Sequence, residues 1–477
     1  MVFSHGPGLV WAARSHTRQM TFPRSADERL AAWFAHRRRK PLILRGARQT
    51  GKTTAVRRLG ERAPLLVELN LERPDDLALV RRCRSAAELL ERLETRANLA
   101  ELPRNAILFL DEIQEYPEAL KWLRFFFEDR PGLAVVAAGS LLEVRLRREA
   151  LPFPVGRVEF LRLEPLTFLE FLRATDAARL ADDLEQAFDD GGPVAESLHE
   201  LAMDRFREFL LVGGLPEAVD VWQSSSSYSE VGMVHTALRQ AYAEDLLKYR
   251  VGGTTRYLEV VLAGAPAHYG ARFKVRQLAP GEKDKPVTEA LDLLEQAMIL
   301  FRVRPTASRS LPLVPRRRAA HKLLPLDIGL ALSELGVRPE HLAGKPVESI
   351  LDGRIAEAVV GIQLLASNPE GPRQLSLWTR EGGSRSNAEV DYLVPTAGGV
   401  VPVEVKAGAS GSLKSMHQFL AGGEHDVGVR LSSARGGLEQ LEVGLGDGRT
   451  LTYRLRSVPL YLAELVARRS ILGRQAG

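Results

Sequence analysis

Residues 46–53 read Gly-Ala-Arg-Gln-Thr-Gly-Lys-Thr, and no other stretch constrains the chain as much. They fit G-x-x-x-x-G-K-[ST], in which glycines let backbone N–H groups turn inward onto a chain of phosphates. In that pattern Lys52 reaches the β- and γ-phosphates, and the Thr53 hydroxyl is a ligand for Mg²⁺. The candidate cradle is Gly46, Ala47, Arg48, Gln49, Thr50, Gly51, Lys52, Thr53 and Thr54. Residues 41–44 read as a short buried strand before the loop, and residues 53–59 as a helix after it. That strand–loop–helix context is what distinguishes a phosphate loop from a chance match.

A phosphate loop needs an acidic partner. Residues 107–110 are Ile-Leu-Phe-Leu, an apolar strand that delivers Asp111 and Glu112 to the sheet edge. Asp111 is the candidate for holding the Mg²⁺ hydration shell. Glu112 is the candidate base that orients or deprotonates an attacking water. The next strand, residues 135–138, ends at Gly139-Ser140. Ser140 is a candidate sensor of the γ-phosphate, with a helix N-cap before residues 141–143 as its alternative role. Arg157 follows Pro154-Val155-Gly156 just before a fifth strand. Its guanidinium could stabilise transition-state charge, in cis or from a neighbouring subunit, or simply form a surface salt bridge. ATP and Mg²⁺ are the implied cofactors.

At 477 residues the chain has room for about three domains. Its first third alternates strand-like runs (42–44, 65–69, 107–110, 135–138, 158–163) with helical stretches, the signature of a parallel α/β sheet. Residues 166–250 read as helical, broken at Gly191-Gly192-Pro193 and Gly213-Gly214-Leu215-Pro216. Residues 254–315 read as three helices and a hairpin, 301–304 with the basic 313–318, in the order of a winged helix-turn-helix. The third helix, 286–300, carries Glu289, Asp292 and Glu295, which favours protein contact or internal packing over DNA reading. A single cysteine, Cys83, excludes an intrachain disulfide and suits a reducing cytoplasm. No apolar run approaches the ~18 residues of a membrane helix. The formal charge of +5 permits nucleic-acid binding, but 54 arginines against 11 lysines point to genome composition as readily as to phosphate contact. The clusters Arg37-Arg38-Arg39-Lys40 and Arg316-Arg317-Arg318 are therefore read as solvated faces or phosphate contacts alike.

The residues quoted so far resemble those of a known group, the prokaryotic AAA-type P-loop ATPases that carry a winged-helix segment and a C-terminal domain of long-unassigned function. The resemblance rests on residues 46–54, Leu110-Asp111-Glu112-Ile113-Gln114, Ala138-Gly139-Ser140-Leu141-Leu142, Pro165-Leu166-Thr167-Phe168, Gly213-Gly214-Leu215-Pro216 and Leu326-Asp327-Ile328-Gly329-Leu330. Pro325 departs from the pattern, where an aromatic strand usually runs on. The resemblance implies an α/β fold: an AAA-like parallel sheet with a helical lid, a winged helix, and a C-terminal domain similar to PD-(D/E)xK (restriction-endonuclease-like) nucleases. The resemblance covers roughly residues 25–465, and the expected division is an N-terminal stretch (1–24) that is a flexible arm or a misassigned start, an ATPase core (25–165), a lid (166–250), a winged-helix-like unit (251–318) and a nuclease-like domain (319–477).

The last domain carries its own chemistry. Val403-Glu404-Val405-Lys406 puts Glu404 and Lys406 on one face of a strand. Asp391 lies on the preceding strand, and Glu357 on a helix spanning 354–366. These are the parts of a PD-(D/E)xK site. Glu357, Asp391 and Glu404 are the candidate Mg²⁺ ligands, with Glu389 able to replace Asp391, and Lys406 the candidate for positioning water. A salt bridge between Glu404 and Lys406 is the plain alternative. The expected function is an ATP-driven switch or motor coupled to this domain. Its candidate partners are DNA, RNA, a protein or further copies of the chain. The alternative is a nucleotide-gated binding module that cuts nothing.

Overall fold

The computed structural model describes residues 9–11, 22–140, 142, 144, 156–248, 254–316, 319–341, 352–380, 388–408, 411–423, 425–445 and 448–472. The chain forms two compact units, residues 1–164 and 165–477.

The first unit is built on six strands: β1 (Leu9–Trp11), β2 (Leu42–Arg45), β3 (Leu65–Asn70), β4 (Ile107–Asp111), β5 (Ala134–Ala138) and β6 (Glu159–Arg162). They run β1-β3-β4-β5-β2-β6, and every neighbouring pair is parallel. A parallel sheet is covered on both faces, so its central strands are apolar on both sides. Strands β4 and β5 are buried from end to end. Leu42 and Leu44 pack with Val56 and Phe109 on one face, while Ile43 packs with Leu108 and Leu110 on the other. Because all strands are parallel, their carboxyl ends share one edge. That edge carries the loop after β2, Asp111 and Glu112 at the end of β4, and Ser140 after β5.

The expected flexible arm needs correction at both ends of its described part. Residues 9–11 add an edge strand to β3, with Leu9 opposite Leu65. Phe22 is buried, and Arg24 donates to the backbone carbonyls of Glu164 at 2.6 Å and Thr50 at 3.4 Å. The other residues of 1–24, namely 1–8 and 12–21, lie outside the described residues.

The second unit begins with five helices: Phe168–Ala174, Ala178–Asp190, Glu196–Val212, Pro216–Ser225 and Tyr228–Lys248. Helix Thr254–Gly264, strand β7 (Arg272–Phe273), helices Val275–Leu278 and Asp284–Gln296, and strands β8 (Leu300–Thr306) and β9 (His321–Pro325) follow. After helices Ile328–Glu334 and Gly353–Ala366 come β10 (Ser376–Thr379), β11 (Glu389–Thr396) and β12 (Gly399–Val405). Strands β13 (Val427–Ser432), β14 (Gly437–Gly444) and β15 (Thr450–Pro459) complete one nine-stranded sheet, ordered β14-β15-β13-β12-β11-β10-β8-β9-β7.

Two expectations fail here. The hairpin partner of β8 is β9, with Arg302 opposite Leu323, and not residues 313–318. Pro312 and Pro315 have no N–H to give a ladder, and that stretch contributes only the isolated bridge Thr306–Pro315; Arg317 and Arg318 lie outside the described residues. A break at residue 318 is likewise too early, because β9 sits between β8 and β7.

Three short sequence marks meet at one point in this unit. Asp327 caps the helix Ile328–Glu334 by accepting from the Leu330 N–H at 2.9 Å, and its other oxygen accepts from the Gly214 N–H at 2.6 Å. Gly214 in turn accepts from the Leu166 N–H at 2.6 Å. At Gly213, with φ +77°, a side-chain carbon would fall 2.1 Å from Asp327 Oδ1, so only glycine fits. The marks at 165–168, 213–216 and 326–330 are thus one packed joint.

The helix Phe168–Ala174 takes its amino-terminal partners from distant residues. Thr167 accepts from Glu170, Gln363 from Phe168 at 3.0 Å and Glu464 from Leu169 at 3.0 Å. Glu464 is fully buried, and burial pushes its carboxyl up to about 7 despite the Arg468 guanidinium beside it. The folded state therefore holds a proton that the unfolded state releases above the usual glutamate range. This effect is absent at low pH and costs on the order of 3 kcal/mol once the pH passes about 7. Stability should fall as pH rises from about 5 to about 8, and Glu464→Gln should flatten that slope. Urea midpoints at several pH values check this; an unchanged slope in the variant would contradict it.

Candidate functional site

The loop after β2 closes on itself. Thr50 Oγ1 donates to the Ala47 carbonyl at 3.0 Å, and Lys52 Nζ donates to the carbonyls of Gly46 (3.0 Å) and Ala47 (2.8 Å). Lys52 is 6% exposed, and burial pulls its pKa down against the raising charges of Glu112 and Asp111. Thr53, in the first turn of the helix Lys52–Gly60, donates to Asp111 Oδ2 at 2.7 Å. Burial raises the Asp111 carboxyl to about 6, partly offset by that hydrogen bond. Thr54 is half-buried on the next helical position, and Arg48 lies 3.9 Å from Glu72.

Glu112 has φ 51°, a left-handed conformation that costs a non-glycine residue about 1–2 kcal/mol. Its backbone N–H donates to Asp111 Oδ1 at 3.1 Å, and its carboxylate accepts from Gln114 Nε2 at 2.5 Å. Gln114 is 3% exposed. Among the described residues its Oε1 has no hydrogen-bond partner, and it lies 2.2 Å from where a Gly139 β-carbon would be. Gln114 therefore spans the space between the acidic strand end and Gly139-Ser140. Ser140 itself is buried on the shared edge; its alternative as a helix cap involves residues 141 and 143, which lie outside the described residues.

Arg157 is not brought to this edge. In the β2–β6 register Leu42 faces Glu159 and Arg45 faces Arg162, so Arg157 sits at the amino end of the sheet, opposite the loop. There it pairs with Glu128 at 3.2 Å, the salt-bridge alternative. A role in cis is excluded by distance along the strand. Arg39, from the basic cluster, is also internal: it donates to the carbonyls of Phe34 and Gly132, both at 3.0 Å, and to Asn105 at 2.9 Å. Two positioning residues escaped the sequence reading. Gln114 was visible only as part of a mark, and Arg24 was one arginine among many.

The C-terminal residues converge in the second unit. Glu357, Asp391, Glu404 and Lys406 line one cavity of about 470 Å³ with Arg272, Lys322 and Glu389. Lys406 Nζ lies 3.1 Å from Glu404. The Val405 N–H donates to Asp391 Oδ2 at 2.9 Å. Lys322, unmarked by any motif, occupies the middle. Its Nζ is 3.2 Å from Asp391, 3.8 Å from Glu389 and in contact with Glu357. Burial works against the Lys322 ammonium, but Asp391, Glu357 and Glu389 outweigh it and hold its pKa well above the usual lysine value. Burial raises Glu404 to about 8, helped by Asp391, and Glu357 to about 7. As placed, the carboxylates surround an ammonium. Among the described residues no group of three or more His, Cys, Asp or Glu side chains could hold a metal ion.

Comparisons with known proteins bear mainly on the first unit. Residues 38–172 match the family model for an AAA domain, AAA_14. With the loop, the acidic strand end and their shared edge, this match marks the segment as a P-loop ATPase domain. Residues 203–341 and 352–438 match two domains of unknown function, DUF8612 and DUF4143. No curated protein matches the chain. Among solved structures, the chain is similar to the Walker-type ATPase PABY2304 of Pyrococcus abyssi (15% identity, TM-score 0.42, covering 67% of this chain and 97% of that one). It is also similar to the Aeropyrum pernix ORC2 protein in its ADPNP–ADP complexes (14%, 0.34, 67% and 96%). Both likenesses are too loose to assign the fold. Among the described residues no helix is long and apolar enough to cross a membrane.

Proposed function

We propose that the chain is an ATP-hydrolysing switch or motor acting through a C-terminal domain similar to PD-(D/E)xK nucleases. One observation carries the reading: Thr53 and Asp111 meet at 2.7 Å beside Glu112, which Gln114 holds by its carboxylate. The hydroxyl and carboxylate are hard oxygen donors of the kind Mg²⁺ takes alongside substrate phosphates. Thr53 and Asp111 would hold that ion, which would supply charge neutralisation on the phosphates. Lys52 exchanges its two carbonyl partners for β- and γ-phosphate oxygens. Glu112 takes a proton from the attacking water, and Ser140 lies on the edge that the γ-phosphate reaches. Phosphate release from ATP tests the reading: the wild-type chain is expected to turn over and Lys52→Ala is not.

Gln114 is a positioning residue in this scheme. Gln114→Ala is expected to lower kcat about tenfold with little change in KM for ATP, because it frees the base without touching the phosphate cradle. Gln114→Glu should be worse still, since it sets two carboxylates against each other. Steady-state kinetics check both. A rise in KM at constant kcat would place Gln114 in ATP binding instead.

In this reading residues 254–325 are a winged-helix-like unit, supported by their order of helix, strand, two helices and hairpin. Helix Asp284–Gln296 is engaged internally: Glu295 binds Arg302 at 2.6 Å and Arg304 at 2.7 Å, and Asp292 also contacts Arg302. That supports packing over groove reading. Arg157 is kept as a residue acting between copies of the chain, since its side chain is 47% exposed. The second reading, a nucleotide-gated binding module without cleavage, is favoured by one observation, the Lys322 ammonium among the candidate metal ligands.

A further inference from the structure

Lys322 is 1% exposed and enters the carboxylate cluster from β9. That strand is held on both sides, with Lys322 opposite Arg272 of β7 and Val303 of β8. The amine is therefore set by the sheet and not by a loop. It has three carboxylate charge partners: Glu357 in contact, Asp391 Oδ1 within hydrogen-bond distance at 3.2 Å, and Glu389 further out at 3.8 Å. Its Nζ also lies 4.8 Å from the centre of the Tyr392 ring, whose hydroxyl donates to the Glu357 carbonyl at 2.6 Å. Asp391 Oδ2 is committed to the Val405 N–H at 2.9 Å. Both Asp391 oxygens are thus engaged, and one of them by a fixed positive charge.

A divalent ion shared by Glu357, Asp391 and Glu404 would need the same oxygens and would meet an ammonium at contact range in a buried setting, where like charges repel strongly. The candidate ligand set does not fit a metal while Lys322 is there. We infer that Lys322 is the resident cation of this cluster, standing where a nuclease-like site would bind a divalent ion, so that these carboxylates take up no metal. The inference rests on reading Glu357, Asp391, Glu404 and Lys406 as a nuclease-like set. It sharpens the second reading above: the domain keeps the scaffold of a cutting site and its charge balance, with the cation built into the chain.

The test titrates the full chain with Mn²⁺ alone, in a Lys52→Ala background to weaken the nucleotide site, and follows free Mn²⁺ by electron paramagnetic resonance. Adding Asp391→Asn should move the isotherm by less than about twofold, because no metal is held there. Adding Lys322→Met instead keeps the stem and removes the charge. It should create a Mn²⁺ site at least about tenfold tighter than any in the parent, and Asp391→Asn should abolish it. A parent isotherm that loses a site on Asp391→Asn overturns the inference and leaves the nuclease-like reading standing. A folded Lys322→Met chain, checked by circular dichroism, that gains no site overturns the nuclease-like reading of these carboxylates and the inference with it. Should Lys322→Met fail to fold, the Asp391→Asn comparison decides alone.

Discussion

Glu112→Gln is expected to lower ATP turnover by about 100-fold or more while leaving ATP affinity within about threefold. The change keeps the size of the side chain and removes only the base. Nothing in the phosphate cradle moves: Lys52 stays with the Gly46 and Ala47 carbonyls, and Thr53 stays with Asp111. The left-handed backbone at Glu112 supports a functional reading. A non-glycine φ of 51° persists only where the surroundings enforce it, and such outliers gather at functional sites. Here the enforcing contacts are the Asp111 oxygen on its N–H and the Gln114 amide on its carboxylate. Quench-flow hydrolysis with a parallel measurement of fluorescent-nucleotide binding separates the two quantities. A loss of affinity equal to the loss of rate would remove Glu112 from the role of base.

Asp327→Ala is expected to destabilise the second unit by about 3–5 kcal/mol, a large share of the stability of an ordinary domain. The carboxylate is 2% exposed and satisfies two buried N–H groups, those of Gly214 and Leu330. Removing it leaves both donors unpaired, and an unpaired buried donor costs about 1–3 kcal/mol. His235 is buried close by, with its Nε2 3.1 Å from the Val212 carbonyl, and loses the charge that favours its protonated form. Asp327→Asn keeps one acceptor and should lose roughly half as much. Urea denaturation followed by circular dichroism measures both. A shift under about 1 kcal/mol for the alanine variant would mean that the joint between the three sequence marks is not a stabilising one.

The parts of this chain that could be read from its sequence are those where one physical rule acts alone. Strands β2 to β5 were legible because strands covered on both faces are short, mostly apolar runs. The helix Gly353–Ala366 was legible because Ile355, Val359 and Ile362 recur at helical spacing. The phosphate loop and Asp111-Glu112 were legible because their chemistry demands those residue types at strand ends. Strand β9 was missed because its pairing is decided by which of two nearby stretches can supply a ladder, and the prolines at 312 and 315 settle that only once β8 is in place. Strand β14 was missed because Glu439, Gln440 and Glu442 face solvent at an edge, and only Leu441 and Val443, both half-buried, mark its inner face. Lys322 was missed because its meaning is entirely tertiary: a lone lysine on a strand becomes the centre of a charge cluster only when Glu357 and Asp391 arrive from elsewhere in the unit. Arg157 drew attention in sequence by its place just before a strand, but in a parallel sheet a residue that precedes a strand lies at the amino edge, away from the loop after β2.

ATP hydrolysis by the chain is tested most directly by ADP formation from saturating ATP and Mg²⁺, compared with Lys52→Ala under identical conditions. The wild-type chain is expected to form ADP steadily and the variant at a rate at least about 100-fold lower, because Lys52 is the ammonium the loop aims at the phosphates. Equal rates in the two proteins, or none in either, would contradict that expectation.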